Sequence, residues 1–518
     1  MGQSQRVFVL RTLVKLRVCQ RFTVAAICAA LVCLPTATPA QSQSQSIEID
    51  ARAPGHPLPH FWEQMFGSGR AILSLRDEYR RDLRAVKAAT GFEYVRFHAI
   101  FHDEVGLYDE DANGNPIYNF SYVDQIYDGL LQNGVRPYVE LSFMPKKLAA
   151  QQDVHVFWYH PIVSPPKSYA KWADMITAFA QHLIGRYGID EVSQWYFEVW
   201  NEPNLDFWAG MPKEQTYYQL YDATARALKA VSPRLRVGGP STAQAAWVDR
   251  FIRHCVDNNV PVDFVSTHVY GNDSARDVFG TDESIPRDQM VCRAARKVHD
   301  QVQASTRPDL PIIFSEYNAS YKNETDVTDS TFMSPWLADT IRQCDGLTQS
   351  MSYWTFSDVF EEQGVIKTPF YGGFGVIAED DLPKPVFNAF KMLHQLGDTR
   401  IDVNSNSALV TRRPDGTLEI AIWNLVLPGA QGQEKQFTID IKGVKGNARA
   451  ALTLLDANHG SLTNTYDAMG RPAYPTAAQI EKLRQAAQLP APENKRLNNG
   501  EITIQLEPQG LSIIELRR

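Results

Sequence analysis

Hydrophobic and polar residues follow two alternating patterns between about residue 60 and residue 396. Short runs rich in β-branched and aromatic residues predict strands, and longer stretches with apolar residues three or four positions apart predict helices. The predicted strands cover residues 61–66, 94–97, 136–141, 194–200, 236–239, 264–268, 312–316 and 350–356. The predicted helices cover residues 77–90, 122–133, 168–187, 213–231, 246–258, 288–303, 335–343 and 384–396. Eight successive strand–helix pairs favour an α/β fold with a (β/α)8 TIM barrel over a doubly wound sheet.

After about residue 397 the predicted strands follow one another without long helices. They cover residues 408–411, 419–423, 436–441, 450–454, 501–506 and 511–516. This pattern predicts an accessory antiparallel β-sandwich domain over residues 397–518, with a helical excursion near residues 475–490. The N-terminal segment, residues 41–59, is expected to add a strand at residues 46–51. The barrel domain is then residues 60–396.

The first forty residues have the features of a signal peptide. Five cations and no acid accompany an apolar run at residues 22–34, which ends at Pro35. Small residues at Thr38 and Ala40 fit a cleavage site. An uncleaved anchor is the alternative, although the run is too short to span a bilayer comfortably. The sequence therefore predicts a secreted or periplasmic protein, with no membrane association after removal of residues 1–40.

Charge narrows the range of partners. Lys and Arg number 51 against 59 Asp and Glu, a net charge of −8, and loss of the cationic leader would make the chain more acidic. Nucleic acid and anionic membrane surfaces are therefore disfavoured, and a neutral ligand fits better. Beyond the leader, Cys255, Cys292 and Cys344 are widely spaced without a zinc-type pattern, which leaves one disulfide open but not its pairing.

The clearest chemical signal is WYFEVWNEPN at residues 195–204, where a predicted strand runs into an Asn-Glu-Pro turn. Because side chains alternate along a strand, Glu198, Trp200 and Glu202 are expected to share one face. Glu202 would lie at the C-terminal mouth of the barrel, where barrel enzymes carry their chemistry. Glu198 would lie deeper, with an orienting role.

A second acid, Glu316, ends the predicted strand in IIFSEYNAS. The two strands are the fourth and the seventh, so Glu202 and Glu316 can face a sugar from two sides. Glycoside hydrolysis needs such a pair, since one acid protonates the leaving oxygen while the other attacks or activates water. Asn201 could donate a hydrogen bond to the sugar 2-hydroxyl, a contact that strengthens in the transition state.

Several further motifs give the chain a family resemblance. They are FGSGRA (66–71), GFEYVRFHAIF (91–101), ELSFMP (140–145), WNEPN (200–204), STHVY (266–270), SEYNAS (315–320), YWTFSDVFEEQG (353–364), TPFYGGFG (368–375) and KPVFNAF (384–390). With these motifs the chain resembles the β-xylosidases of glycoside hydrolase family 39 over most of its length.

The resemblance implies retaining hydrolysis, with Glu202 as acid and base, Glu316 as nucleophile, and no metal or organic cofactor. It also implies that His268 and Tyr270 line the nucleophile side and steady Glu316. The positions matched to sugar contacts are His98, Phe143, Asn201, Trp354 and Glu361, with Tyr321 and Glu362 matched in type but not in orientation. Ala99 stands where the family more often has Gly.

The expected activity is therefore an exo-acting β-xylosidase that releases xylose from short xylo-oligosaccharides. The same machinery in an α-L-iduronidase, a β-glucosidase or an endo-xylanase is the alternative, and so is a carbohydrate-binding protein that has lost activity. An iduronidase must hold a substrate carboxylate with Arg or Lys, and the motifs show no obvious cationic cluster; Arg70 and Lys322 are the candidates for such a contact. Retention of both acids argues against binding alone. A homo-oligomer is left open.

Overall fold

The computed structural model describes residues 43–444 and 448–517. The predicted signal peptide, residues 1–40, lies outside them. The described residues belong to one compact unit. None of their helices has the length and apolar character needed to cross a membrane.

Eight parallel strands form a closed barrel, and each strand pairs with its neighbours in chain order. They are Met65–Gly67, Tyr94–Phe97, Arg136–Glu140, Tyr196–Glu198, Arg236–Thr242, Phe264–Tyr270, Ile312–Asn318 and Ser350–Tyr353. All eight predicted strands are present, so the predicted barrel is confirmed. The first and fourth strands are shorter than predicted because only three residues of each keep the ladder pairing.

Eight long helices surround the barrel. They are Asp77–Ala89, Ser121–Gln132, Tyr169–Tyr187, Lys213–Val231, Val248–Asp257, Arg287–Gln303, Met333–Cys344 and Pro385–Leu393. The third shows how sequence sets the ends of a helix. The Ser168 side chain accepts a bond from the Lys171 amide at the start, and Gly188, with φ of 80°, follows the last turn. Trp172 and Phe179 are buried on its inner face.

Shorter elements occupy the loops. The helical ones are Ala71–Leu75, Ile189–Val192, Ala243–Ala245, Ala275–Phe279 and Glu379–Asp381. Two small hairpins pair Tyr108–Glu110 with Pro116–Tyr118 and Ile377–Ala378 with Leu382–Pro383. These elements extend the loops around the barrel.

The barrel interior is layered. Met65, Tyr138, Tyr196, Phe264 and Ile313 form a buried aromatic and aliphatic cluster, and the partly buried Tyr94 packs against it. Two residues further along three of the strands, charged side chains replace the apolar ones at fully buried positions: Arg96, Glu140 and Glu198. Since alternate residues of a strand share one face, these charges lie on the C-terminal side of the apolar layer. A buried polar network therefore forms the floor of the C-terminal mouth.

Two further sheets follow the barrel. The three-stranded sheet is ordered Gln43–Asp50, Lys435–Lys442, Glu501–Leu506, and the seven-stranded sheet His56–Pro57, Thr399–Ile401, Ala408–Arg412, Leu418–Trp423, Leu511–Leu516, Arg449–Leu455, Glu493–Arg496. One hydrophobic cluster draws on both sheets, including Ile49, Val410, Ile420, Ile439 and Ile504. The predicted N-terminal strand is present but pairs parallel to Lys435–Lys442, whereas the other pairs in these sheets are antiparallel.

The helical excursion contains two helices, Thr463–Ala468 and Ala477–Ala486. Thr476 and Gln479 form a capping box at the start of the second. Outside the sheets, a disulfide joins Cys292 to Cys344, with Cα atoms 5.0 Å apart. The pairing that the sequence left open thus connects two outer helices of the barrel, and Cys255 is a buried free thiol.

Candidate active site

A cavity of about 390 Å³ opens beside the C-terminal ends of the barrel strands. Eight of the eleven site residues expected from sequence line it: His98, Asn201, Glu202, Tyr270, Glu316, Tyr321, Trp354 and Glu362. The structure therefore brings most of the predicted set into one place. The wall also contains residues that sequence reasoning did not select: His155, Phe157, Leu205, Phe207, Ala243, Gln244, Asp273 and Phe374.

The two acids lie close together. One carboxylate oxygen of Glu202, one of Glu316 and a ring nitrogen of His268 are all within 4.8 Å of one another. Retaining glycosidases hold their carboxyl groups about 5 Å apart, whereas inverting enzymes leave about 6.5–9.5 Å for a water molecule. An oxygen–oxygen separation below 4.8 Å leaves no room for the water of the inverting arrangement and fits the retaining one.

Glu202 follows the fourth strand in a turn with a positive φ of 43°. Its amide donates to the Ser241 carbonyl at 2.8 Å, which fixes the turn against the fifth strand. Burial raises the pKa of Glu202 well above its ordinary value, and the nearby charge of Glu316 adds to the effect. A carboxyl group in this environment keeps its proton near neutrality and can act as an acid.

Glu316 lies within the seventh strand and is held at both oxygens. Arg96 Nη1 donates to Oε1 at 2.6 Å, and the Tyr270 hydroxyl donates to Oε2 at 2.5 Å. Burial raises the pKa of Glu316, but the positive charge of Arg96 and the bond from Tyr270 act in the opposite direction. Of the two acids, Glu316 is therefore the one that ionises first.

Arg96 is the central residue that sequence reasoning missed. It is completely buried and contacts Glu140, Glu198 and Glu316, each at 2.6 Å, and Asn201 at 2.9 Å. Its planar guanidinium can satisfy several acceptors at once, which an ammonium group cannot do with the same geometry. The signal in the sequence was an arginine at an inward-facing strand position, two residues before His98.

His98, Trp354 and Glu362 form one side of the cavity. His98 Nδ1 lies 2.7 Å from Glu140, and its Nε2 lies 3.6 Å from Glu362. The rings of His98 and Trp354 are 4.9 Å apart. Gly67 leaves room for this arrangement, because a Cβ there would lie 2.0 Å from a ring carbon of Trp354.

His268 lies elsewhere than expected. It is fully buried behind the cavity wall, and its Nδ1 is 2.9 Å from Glu202 but 3.6 Å from Glu316. Burial lowers the pKa of His268 well below its ordinary value, so the ring is neutral. The residue expected to steady Glu316 therefore forms its hydrogen bond with Glu202. The pairing of its strand with the seventh strand shifts register between Thr267 and His268.

Two expected sugar contacts face away from the cavity. Glu361 forms ion pairs with Arg70 at 3.2 Å and Arg76 at 2.6 Å, and the next residue, Glu362, lines the cavity instead. Phe143 is fully buried and packs behind His98, with ring centroids 6.0 Å apart. The structure therefore does not bring these two positions into the cavity wall.

The expected common face of Glu198, Trp200 and Glu202 is also wrong beyond the end of the strand. The strand ends at Glu198, and Trp200 has a φ of 74°. Its ring packs against Trp172 and Trp208 in the core outside the barrel. Glu198 keeps the deep position that was predicted, with bonds from Arg96 and from neighbouring hydroxyl groups.

Two side-chain clusters in the described part of the chain have donor atoms close enough for a metal ion. One is Glu202, His268 and Glu316 in the cavity wall, and the other is His60, Glu63 and His394. In the first cluster two carboxyl groups of unequal pKa face a sugar-sized space, which is the arrangement of acid-catalysed glycoside cleavage.

A (β/α)8 barrel with paired acids on strands four and seven defines the chain as a glycosidase. The profile described as Glycosyl hydrolases family 39 matches residues 45–502. A β-xylosidase of Geobacillus stearothermophilus is 37% identical over 469 residues, covering 88% of this chain and 92% of the relative. The crystal structure of a monomeric β-xylosidase from Caulobacter crescentus CB15 has a TM-score of 0.83 and 32% identity, covering 91% and 99% of the two chains.

Human α-L-iduronidase is 27% identical over 346 residues, covering 62% of this chain and 47% of the relative. The family profile and the first relative together cover most of the chain. The chain therefore belongs to glycoside hydrolase family 39.

Proposed function

We propose that the protein is a retaining, exo-acting β-xylosidase that cleaves xylose from the non-reducing ends of short xylo-oligosaccharides. The observation that carries the mechanism is the pair Glu202 and Glu316, within 4.8 Å of each other and with unequal pKa values. Similarity to β-xylosidases over 92% of a relative's length supports the substrate. The reaction requires no metal or organic cofactor.

In the first step Glu316 attacks the anomeric carbon of the sugar, and the bond from that carbon to the glycosidic oxygen breaks. Glu202 gives its proton to the departing oxygen, so the leaving sugar departs as a neutral alcohol. The product on the enzyme is a glycosyl ester of Glu316. Arg96 and Tyr270, which bond its two oxygens, keep the carboxylate aimed before the attack.

In the second step Glu202, now ionised, removes a proton from water, and the resulting hydroxide attacks the anomeric carbon. The ester bond breaks and Glu316 leaves as a carboxylate. The bond between His268 and Glu202 is compatible with both roles, since an Nδ1–H of the neutral imidazole can donate to one carboxyl oxygen of Glu202 whether the other oxygen is protonated or ionised.

Asn201 is placed to bind the sugar. Its side-chain oxygen accepts from Arg96 at 2.9 Å, which leaves the amide N–H groups as donors on a residue that lines the cavity. We assign these donors to the sugar 2-hydroxyl, and we assign His98, Glu362 and Trp354 to the remaining hydroxyls and the ring face. Glu361 and Phe143 support the wall without contact with the sugar.

A neutral sugar fits this cavity better than a uronic acid. Among the described residues the cavity wall contains no Arg or Lys, whereas Asp273 and Glu362 add carboxyl groups to the two acids. Arg70, one of the two candidates from sequence, is paired with Glu104 and Glu361. The other, Lys322, has its Nζ 5.4 Å from the ring centroid of Tyr321. A substrate carboxylate would meet acids without a compensating cation, so the α-L-iduronidase alternative is disfavoured.

The size of the cavity suits the end of a short chain. A volume of about 390 Å³ is at the small end of the range of about 300–1,000 Å³ for small-molecule sites. An exo-acting enzyme needs only such a space, whereas an endo-xylanase binds a long polymer on both sides of the cleaved bond.

Export is part of the proposal. The signal-like leader at residues 1–40 and the Cys292–Cys344 disulfide both fit an oxidising compartment, either the periplasm or the medium. We further propose that the two C-terminal sheets act as an accessory β-sandwich that supports the barrel. The hydrophobic cluster drawn from both sheets supports this assignment.

The first test is hydrolysis of aryl β-xyloside, β-glucoside, α-L-arabinoside and α-L-iduronide by the wild type and by Glu316→Ala. We expect fast cleavage of the β-xyloside and its loss in the variant. Preference for another sugar would keep the mechanism and replace the substrate. No cleavage of any substrate by folded protein would favour the carbohydrate-binding alternative.

A second test separates the two acids. Glu202→Ala should slow aryl xylosides with poor leaving groups far more than those with good ones, and azide should restore turnover by attacking the glycosyl ester. An equal loss for both kinds of leaving group would show that Glu202 is not the acid and base.

A further inference from the structure

A second group of metal-ligating side chains lies at the other end of the barrel from the cavity. His60 and Glu63 precede the first strand, and His394 follows the last helix, Pro385–Leu393. The three residues bring one donor atom each within 4.8 Å of the others. Glu63 is buried, whereas the His394 side chain is 48% exposed.

One carboxylate faces both imidazoles. Glu63 Oε1 lies 2.6 Å from His60 Nδ1 and 2.8 Å from His394 Nδ1, and its other oxygen lies 2.9 Å from His394 Nδ1. His60 Nε2 lies 3.1 Å from the carbonyl oxygen of Leu396. A carbonyl oxygen only accepts, so Nε2 carries a proton and donates it.

This donor and acceptor pattern defines what can lie between His60 and Glu63. With Nε2 protonated, a neutral His60 directs the lone pair of Nδ1 at a carboxylate oxygen 2.6 Å away. Two lone pairs at that distance repel each other unless a proton or a metal ion lies between them. An imidazole that donates one N–H to a backbone carbonyl and offers its other nitrogen is the usual state of a metal-ligating histidine.

We propose that His60, Glu63 and His394 form a binding site for a divalent transition metal, with Zn²⁺ as the ion that fits best. Two imidazole nitrogens and one carboxylate oxygen are donors that Zn²⁺ accepts, with water in the fourth position. Mg²⁺ and Ca²⁺ prefer sites built from oxygen alone. The hydrogen-bonded cluster is the metal-free form, and binding replaces protons on the two Nδ1 atoms.

The geometry requires only a small adjustment. Tetrahedral ligands at bond lengths of about 2.0–2.2 Å lie about 3.3 Å from one another. Each imidazole nitrogen here lies 2.6–2.9 Å from a Glu63 oxygen, so these pairs must separate by about half an ångström. The two imidazole nitrogens already lie within 4.8 Å of each other. His394 can supply much of this movement, because its ring is half-exposed and lies just beyond the end of a helix.

Such an ion would join the two ends of the barrel sequence. The amide of Leu58 already donates to the Asp398 carbonyl, and His56–Pro57 pairs with Thr399–Ile401. A metal held by His60, Glu63 and His394 would add a third link between the chain that enters the first strand and the chain that leaves the last helix. Its role would be structural, since the cavity lies at the opposite end.

The test is zinc titration of the whole protein by calorimetry after treatment with EDTA and dialysis. We expect one Zn²⁺ per chain, and a rise in Tm of about 3 °C at a hundredfold excess over Kd. His394→Ala removes a ligand at a half-exposed position, so the fold should survive, and its Kd should be weaker by at least about 100-fold with no rise in Tm.

His459→Ala is the matched control. His459 is 47% exposed and bonds at 2.8 Å to Asp456, a buried acid three residues earlier, but this pair lacks the second histidine. The control should bind Zn²⁺ like the wild type. Glu316→Ala should also keep one Zn²⁺ per chain, which separates this site from the acid pair in the cavity.

Three results would overturn the proposal. They are a wild-type Kd weaker than about 0.1 mM, unchanged binding in His394→Ala, and loss of binding in Glu316→Ala. The readouts are heat and Tm rather than glycoside cleavage, so the outcome is independent of the proposed xylosidase activity.

Discussion

The hydroxyl group of Tyr270 helps to keep the nucleophile Glu316 ionised, and removing it tests the assigned role of Glu316. This hydroxyl donates to Glu316 Oε2 at 2.5 Å, and both side chains are buried. A hydrogen bond to a charged group contributes about 1.5–3 kcal/mol. One pKa unit corresponds to about 1.4 kcal/mol, so Tyr270→Phe should raise the pKa of Glu316 by about 1–2 units.

Loss of the Tyr270 hydroxyl should raise the pKa of Glu316 and thereby slow the reaction at low pH. The bond stabilises the ionised carboxylate, so its loss favours the protonated form, which cannot attack the sugar. The acid limb of the pH profile of kcat/KM for an aryl β-xyloside should therefore move to higher pH by about 1–2 units. Below that limb the variant should be about 10–100-fold slower than the wild type.

Tyr321→Phe is the control for this experiment. Tyr321 lines the same cavity and lies edge-on to Tyr270 with ring centroids 6.2 Å apart, but within the described part of the chain its hydroxyl bonds to neither acid. Its acid limb should match that of the wild type. The reasoning would be refuted if the acid limb of the pH profile stayed in place in Tyr270→Phe, or if it moved equally in both variants.

Three further predictions concern packing, pH and the disulfide. Gly67→Ala places a methyl group 2.0 Å from Trp354, so activity should fall at least about tenfold, with about 1–3 kcal/mol of stability lost in denaturant unfolding. Burial raises the pKa of Glu419 to about 8 in the folded protein, so the unfolded chain loses this proton at lower pH than the folded one. The free energy of unfolding, and with it the Tm, should therefore fall as pH rises from about 5 to 8. Glu419→Gln should reduce this fall in Tm. Replacing Cys292 and Cys344 by Ser opens a loop of 52 residues and should cost about 4 kcal/mol.

Each of these three predictions has a matched control or a contradicting result. A Cβ at Gly185 meets no atom within 4 Å, so Gly185→Ala should leave activity intact, and a similar loss in both glycine variants would contradict the Trp354 argument. Parallel Tm curves for wild type and Glu419→Gln would exclude the pH effect. A reductant should lower the Tm of the wild type but not that of the double serine variant.

The barrel and its acid pair were predictable because both depend on local signals. Glu202 follows the fourth strand and Glu316 lies in the C-terminal half of the seventh, and the barrel brings the carboxyl ends of parallel strands to one mouth. The arginine network was harder to predict, because its partners Glu140 and Glu198 lie on other strands. Only the inward position of Arg96 in a predicted strand pointed to it.

The errors occurred where the backbone leaves regular geometry. Glu361 has a φ of 59°, which turns the loop so that Glu362 rather than Glu361 faces the cavity. A glutamate in the left-handed region has no sequence signal of its own, because the non-glycine residues enriched there are Asn, Asp and His. The same holds for Trp200, and the shift in strand pairing beside His268 likewise results from tertiary packing.

The parallel pairing of Gln43–Asp50 with Lys435–Lys442 affects how the protein can be made. The first strand of the described chain leaves the ribosome long before its partner, and Ile47 and Ile49 stay unpaired until almost the whole sequence has followed. Each pair of residues in this ladder is 392 positions apart, from Gln43 with Lys435 (435 − 43) to Asp50 with Lys442 (442 − 50), and contacts so distant in sequence raise the contact order and slow folding. Completion of the C-terminal sheets thus depends on a segment translated hundreds of residues earlier.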